Sequence, residues 1–486
     1  MTRSTTLIYT VGFAFVALYG LRMLALALLL PLAMRRRPER ADPTTPTPTV
    51  TVQLPLYNEA AVACRAIDAA CGLTWPAGRL EVQVLDDSTD GTRAIVDERV
   101  AAWRRKGLDV TVLRRADRLE FKAGALALGL ARSRGELLAV FDADFIPSPD
   151  FLEACVPYLA PGVAVVQARW GHLNQEENWL TRAQSLALDG HFIVEQTCQS
   201  RLGLFTNFNG TAGIWRREAI VAAGGWQGDT LTEDFDLSYR AQLAGWRIVV
   251  LPEVVVPGEL PASLPAFRTQ QQRWAQGKAE VLRKLGAALL RAPIHPGRRL
   301  MALLSLSGYL AQPILVALLL AAPLAILWPP RFPAWLSVFG LAAFGPPLYY
   351  LVAARPGSVP ALRRLLGYPV LAVVTAAVSL RISASSIAGL AGISRPFDRT
   401  PKTGTMGTAY VRPLQSSGGR LSGRPDGRLS RPRLSVAIGL DAALMTHAWT
   451  CALLALRADV AWLAIYCAVF GLGLTLMVIS EAFARD

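Results

Sequence analysis

The chain has 486 residues, 52% of them apolar, with 50 Lys/Arg against 36 Asp/Glu and a formal net charge of +14. In a soluble protein that charge would suggest nucleic acid, but here the apolar residues fall in long runs and the cations sit beside them. A lipid bilayer is therefore the expected partner, and nucleic acid is not. The six cysteines show no metal-ligand spacing, so neither a zinc site nor a disulfide framework is implied, which suits a reducing cytoplasm.

Taken in chain order, Leu7–Ala33 is apolar except for Arg22. It is too long for a signal peptide, and Met34-Arg-Arg-Arg-Pro offers no small-residue cleavage site, so residues 1–40 are expected to hold a retained first span. Arg35–Arg37 and Arg40 follow it directly and place its end on the cytoplasmic side. After the Pro/Thr linker Ala41–Thr49, residues 50–260 alternate strands with helices. Strands are expected at Val50–Leu54, Val82–Leu85, Val110–Leu113 and Leu137–Phe141, with amphipathic stretches at Ala60–Ala70 and Thr92–Lys106. That alternation predicts a doubly wound α/β domain with a largely parallel sheet, in which ligands bind at the carboxyl ends of strands. The first, second and fourth strands end at Tyr57-Asn-Glu59, Asp86-Asp87 and Asp142-Ala-Asp144.

Residues 261–299 read as amphipathic helices, basic on one face, lying on the membrane. Leu300–Trp328 and Phe332–Ala354 are expected as two spans within 300–354, and Val436–Leu456 and Val460–Ile479 as two more within 434–486. Leu365–Ile393 is apolar enough to cross, but Arg381 and a row of serines interrupt it. Crossing there would carry nine Lys/Arg between Arg395 and Arg433 to the far side. An interfacial placement keeps them inside, so 365–433 is expected to hold an interfacial helix and a basic flexible loop, with five spans in all. The chain reads as a multi-pass protein of the inner or plasma membrane with its α/β domain in the cytoplasm.

Four signatures carry the chemistry. Asp142 and Asp144 follow a buried strand and suit Mg²⁺ or Mn²⁺, hard cations that take oxygen ligands and keep positions open for phosphate. Asp86-Asp87 closes the second strand and offers a carboxylate to a nucleobase or ribose; spacing does not say which of the two faces the ligand. Asp234, ahead of Glu233, is the candidate base for an acceptor hydroxyl. Gln270, Arg273 and Trp274 stand at i, i+3 and i+4, on one helical face, where Arg bridges phosphate oxygens and the indole offers a flat surface to a sugar.

These residues resemble the processive, inverting family-2 glycosyltransferases, the group of cellulose, chitin and hyaluronan synthases, over roughly Val50–Gly404. The closer similarity is to the cellulose synthase-like A mannan and glucomannan synthases, through Asn178–Gln184, His191–Gln196, Phe208–Gly213 and Gln270–Trp274. The resemblance implies a GT-A-like nucleotide-sugar-binding α/β domain, cytoplasmic and inserted between transmembrane α-helices. It implies a UDP-glucose or GDP-mannose donor, Mg²⁺ or Mn²⁺ on Asp142 and Asp144, and a growing glycan as acceptor. Tyr57 and Lys122 would flank the nucleobase, Asp86 or Asp87 would bind the nucleoside, and Glu59 and Glu233 would belong to the donor side. Asp234 would be the base, Gln270 and Arg273 would hold the diphosphate, and Trp274 would stack on the acceptor sugar. Asn209, Gly210, Thr211 and His191 would line the acceptor side. Phe397–Gly404 is similar to a gating loop, with Thr400 and Lys402 as its donor contacts. One span before the catalytic domain and no regulatory domain after the last span would depart from that family. The expected activity is polymerisation of a β-linked mannan, glucomannan or β-glucan with passage through the protein's own helices. The alternative is a glycolipid-forming transferase that adds one or a few sugars to a membrane lipid.

Overall fold

The computed structural model describes residues 1–42, 46–353, 360–393, 404 and 431–483. Seven strands form one sheet: β1 Val50–Leu56, β2 Leu80–Asp86, β3 Val110–Leu113, β4 Leu137–Val140, β5 Val163–His172, β6 Gly213–Arg216 and β7 Arg247–Gly258. Their order is β3-β2-β1-β4-β6-β5-β7, and β6 alone runs antiparallel to its neighbours β4 and β5. The expected doubly wound arrangement is met in the β3-β2-β1-β4 half, and the reversed β6 makes the sheet mixed. Both faces are covered, which is why these strands read as near-continuous apolar runs. Val50, Val52 and Leu54 pack on one face with helices Ala63–Cys71 and Thr92–Arg105. Leu138, Val140 and Trp215 pack on the other with helices Phe121–Arg132 and Glu233–Leu243.

Register brings the reactive ends level. β1 and β2 pair from Val50 with Leu80 to Leu56 with Asp86, so Tyr57 and Asp87 leave the sheet side by side. β4 pairs with the first half of β1, from Val50 with Leu137 to Gln53 with Val140, and releases Asp142 into the same end.

Among the described residues, five helices are long and apolar enough to cross a membrane: Thr2–Arg35, Ala334–Val352, Ala361–Ala391, Ile438–Arg457 and Ala461–Phe483. The run Leu300–Trp328, expected as one span, is bent. Pro296–Leu306 and Gly308–Leu320 meet at a 58° bend, and a further short helix, Ala322–Leu327, follows. The cause lies in the sequence, where Gly308 and Pro313 interrupt the run, and proline both lacks an N–H and clashes with the carbonyl four residues back. The first helix packs antiparallel to this broken pair, with Tyr9 Oη donating to Leu318 O and Tyr19 Oη to Ser307 O, both at 2.9 Å. Ala361–Ala391 is one 31-residue helix, so its length permits crossing, and near both its ends it touches segments outside the apolar runs. Gly367 approaches Leu186, and Gly389 lies against the main chain of Gln276.

The ionisable residues of the apolar runs each find a partner. Arg22 pairs with Glu195 at 2.7 Å, Asp441 with Arg381 at 2.9 Å, and His447 Nε2 lies 3.0 Å from Leu319 O.

Candidate active site

A cavity of about 220 Å³ opens at the carboxyl ends of β1, β2 and β4. Of the expected site residues that the structure describes, all but Asp86, Thr211 and His191 line it. Thr400 and Lys402 lie outside the described residues, as does the expected gating loop except for Gly404, whose N–H donates to Glu259 Oε2 at 3.3 Å.

At the end of β2 the paired aspartates differ in their partners. Asp86 is buried with both oxygens engaged, Oδ1 by the Ser88 N–H at 3.0 Å and Oδ2 by Arg114 Nε at 2.8 Å. Asp87 faces the cavity and pairs with Arg115, whose other contacts reach the Leu119 and Phe121 carbonyls at 2.7 and 2.8 Å. Arg115 thereby braces a loop in which Glu120 and Phe121 both take positive φ, 57° and 47°. Consecutive non-glycine residues there are strained, and such strain persists only where the surroundings over-determine it. The loop sets the Arg118 guanidinium 3.3 Å from the centre of the Tyr57 ring. Lys122, expected to flank the nucleobase with Tyr57, reaches Asp142 instead, and Arg118 lies over Tyr57. Arg118→Ala is expected to raise donor KM about tenfold with a smaller effect on kcat, since the cation–π contact contributes to binding rather than to the reacting centre. Initial rates across donor concentration check this.

Beyond the end of β4, Lys122 Nζ donates to Asp142 Oδ1 at 2.6 Å and to the Gly210 carbonyl at 2.7 Å, with Glu233 Oε1 3.7 Å away. Burial opposes the ammonium charge, but Asp142 and Glu233 outweigh it and hold the Lys122 pKa above its ordinary value. The Asp142 N–H donates to Thr211 Oγ1 at 2.8 Å, so Thr211 fixes the metal-candidate loop from behind rather than lining the cavity. Asp142 and Asp144 fit a Mg²⁺ or Mn²⁺ ion. Such ions are commonly held by one or two carboxylates, with substrate phosphates and water completing the octahedron. Among the described residues no group of three or more His, Cys, Asp or Glu side chains gathers for a metal.

Helix Glu233–Leu243 begins at the cavity wall, with its first-turn acids Glu233 and Asp234 at the positive end of the helix dipole. Asp234 Oδ1 accepts from the Phe235 N–H at 2.8 Å. Burial, reinforced by Glu233, pushes the Asp234 carboxyl up to about 7, against the pull of Lys122 and that backbone bond. A carboxylate so poised is matched to proton uptake near neutral pH. Gly210, at φ 80°, lies so near that a Cβ there would stand 3.0 Å from Asp234 Oδ2.

Helix Leu264–Arg291 carries Gln270, Arg273 and Trp274 into the cavity from one face, as their spacing requires. Its approach depends on Gly277, because a Cβ there would meet Thr232 Cγ2 at 2.4 Å. The helix is thus seated on the residue before Glu233, which brings Arg273 among the carboxylates. Burial lowers the Arg273 guanidinium from its ordinary value, while Asp142, Glu233 and Asp234 pull the other way. Gly277→Ala is expected to lower kcat about 10²-fold by lifting this helix from Glu233, a displacement of ångström scale. The comparison of kcat with wild type at equal folded yield measures it.

Trp274 faces Trp170 of β5, with ring centroids 6.4 Å apart. Asn209 lines the cavity and accepts from His191 Nε2 at 3.0 Å through Oδ1, so His191 stands one contact behind the wall. Trp170, Arg118 and Glu195 were not anticipated. Trp170 sits in Val163–His172, an apolar run whose signal was available, whereas Arg118 and Glu195 depend on loop and tertiary geometry.

The family profile described as "Glycosyltransferase like family 2" matches residues 46–277. The chain is 48% identical over 250 residues to "Glucomannan 4-beta-mannosyltransferase 2" of Arabidopsis thaliana, covering 50% of this chain and 47% of that protein. It is 44% identical over 276 residues to "Glucomannan 4-beta-mannosyltransferase 1" of Oryza sativa subsp. japonica, covering 53% of each. The chain thus spans about half the length of the curated relatives it matches. Among solved structures, a mannosyltransferase from Pyrobaculum calidifontis in complex with GDP-Man and Mn²⁺ shares the fold. That match has a TM-score of 0.53 and 22% identity, over 80% of this chain and 99% of the other.

Proposed function

Residues 46–277 being a family-2 glycosyltransferase domain, we propose that the protein transfers mannosyl units from GDP-mannose to the end of a β-linked mannan or glucomannan, with inversion. The observation that carries this reading is the meeting of Asp142, Asp144, Asp234, Arg273 and Trp274 in one cavity. The names of the curated relatives support a mannosyl donor over UDP-glucose.

Tyr57 and Arg118 receive the base at one end of the cavity, and Asp87 stands beside them. Arg273, Gln270 and Lys122 meet the diphosphate, whose charge must be stabilised as it departs. Asp142 and Asp144 would hold Mg²⁺ or Mn²⁺, which supplies further neutralisation of the leaving diphosphate when bound. Trp274 supports the acceptor sugar, whose hydroxyl oxygen forms the new bond to the anomeric carbon from the face opposite the leaving group. Its proton passes to Asp234, the bond to the β-phosphate oxygen breaks, and the electron pair leaves with GDP. The catalytic domain faces the cytoplasm, in keeping with Arg35–Arg37 beside the first helix. Helix Ala361–Ala391 rests along the domain at the membrane surface, in keeping with the contacts at both its ends.

Purified protein in nanodiscs, given radiolabelled GDP-mannose or UDP-glucose with Mn²⁺ or Mg²⁺, is expected to build a polymer from GDP-mannose that a β-mannanase digests. Incorporation should fall to background with excess EDTA and return on adding either cation. A product limited to a one-sugar lipid adduct would overturn the polymerase reading in favour of glycolipid synthesis.

A further inference from the structure

Arg22 lies inside the first apolar helix, where an unpaired guanidinium is costly. Its partner comes from the catalytic domain: Glu195 Oε1 at 2.7 Å, with both side chains largely buried. Glu195 stands on Gly190–Gln196, a stretch of π-helix continuing from Trp179–Asp189. Such segments are rare and recur at functional sites because the wider turn re-aims side chains. Here the wider turn carries both Glu195 and His191, and Glu195 Oε2 lies 3.5 Å from His191 Nδ1.

The other ring nitrogen fixes the direction of the chain. Asn209 Nδ2 donates to Gln196 Oε1 at 3.0 Å, and Asn209 Oδ1 accepts from Asn207 Nδ2 at 2.9 Å. The amide is therefore oriented with its oxygen toward His191, and Nε2, 3.0 Å away, must carry the proton. Asn209 is followed by Gly210, whose carbonyl holds Lys122 and whose Cα abuts Asp234. Polar contacts thus run without a gap from the first membrane helix to the wall beside the base.

We infer that Arg22 and Glu195 are positioning residues for transfer: they hold the His191 ring in place against Asn209 and so fix the wall against which the acceptor hydroxyl is presented. Neither touches the donor end of the cavity, so their loss should leave nucleotide binding intact and let water replace a misplaced acceptor. The inference rests on the acceptor lying on the Asn209 side, as proposed above.

The test uses full-length protein in nanodiscs with Arg22→Gln and Glu195→Gln. For each, GDP affinity in Mn²⁺ by calorimetry, mannosyl incorporation, and GDP released per mannosyl incorporated are compared with wild type. The expected result is GDP affinity within about twofold, incorporation per folded molecule lower by about tenfold or more, and a severalfold rise in GDP released per transfer. A merely structural role would lower folded yield but not move that last ratio. If Arg22→Gln does not accumulate, Glu195→Asp carries the test, since it keeps the charge but shortens its reach. Incorporation and ratio unchanged from wild type, or GDP affinity lost in parallel with incorporation, would overturn the inference. Failure of the underlying reading is separate: wild-type protein that does not bind GDP, or Asp234→Asn that still transfers, overturns both.

Discussion

Asp234→Asn is expected to abolish transfer, lowering kcat by about 10³-fold or more, while GDP binding survives and the folded protein becomes more stable above neutral pH. The first part follows from removing the only step that takes up the acceptor proton; positioned bases contribute ~10²–10⁴ in rate. The second follows from the environment that tunes the base. Burial and Glu233 raise the Asp234 carboxyl from an ordinary 3.8 to about 7, so the folded state favours the protonated form. A group raised in this way gives its full stability only below its unfolded pKa, near 3.8, and loses it progressively as pH rises through about 7. Asparagine matches the protonated carboxyl in shape and never ionises, so the variant escapes that loss. Its gain in thermal midpoint over wild type should be small at pH 5 and larger at pH 8, read by thermal shift in detergent without metal. A variant that loses activity but gains nothing at pH 8 would mean that Asp234 is not held protonated by its surroundings. One that retains activity would remove it from the base role.

The catalytic end of the sheet was legible in the sequence because parallel, doubly covered strands announce themselves as short apolar runs. The residue that breaks each run then lies where ligands bind in this architecture. Tyr57, the Asp86–Asp87 pair and Asp142 follow from that rule alone, and Gln270, Arg273 and Trp274 from helical spacing. The choice between Asp86 and Asp87 was not legible, since it depends on Arg114 reaching across from the end of β3 to occupy Asp86. The resemblance implies Lys122 beside the nucleobase, next to Tyr57. The helix that starts at Phe121 instead turns the Lys122 side chain toward Asp142, and the strained Glu120-Phe121 kink sends Arg118 over Tyr57. The partner of Arg22 lay 173 residues away, on a π-helical segment that hydrophobic periodicity does not distinguish from an α-helix. In the membrane part, counting apolar residues located the runs but passed over Gly308 and Pro313, which break one of them.

Removing the opposite charge beside the base should move the same titration the other way from removing the like charge. Lys122 lowers the Asp234 carboxyl and Glu233 raises it. Lys122→Met should therefore shift the acid limb of kcat/KM to higher pH, and Glu233→Gln should shift it to lower pH, the limb reporting the free enzyme's base. The two variants differ in cost. Lys122 stands between Asp142 at 2.6 Å and Glu233 at 3.7 Å, so deleting it removes a cation from between two partly exposed carboxylates and should lower stability. It also strips a positive charge from the place where the diphosphate develops its own, so a loss of 10²–10³ in kcat/KM is expected. Glu233→Gln removes repulsion and should cost little stability. Rate profiles from pH 5 to 9, normalised to folded protein, decide between these directions. Parallel shifts of both variants, or none, would show that the acid limb belongs to another group, and the proton would then have to leave the acceptor by a route that does not pass through Asp234.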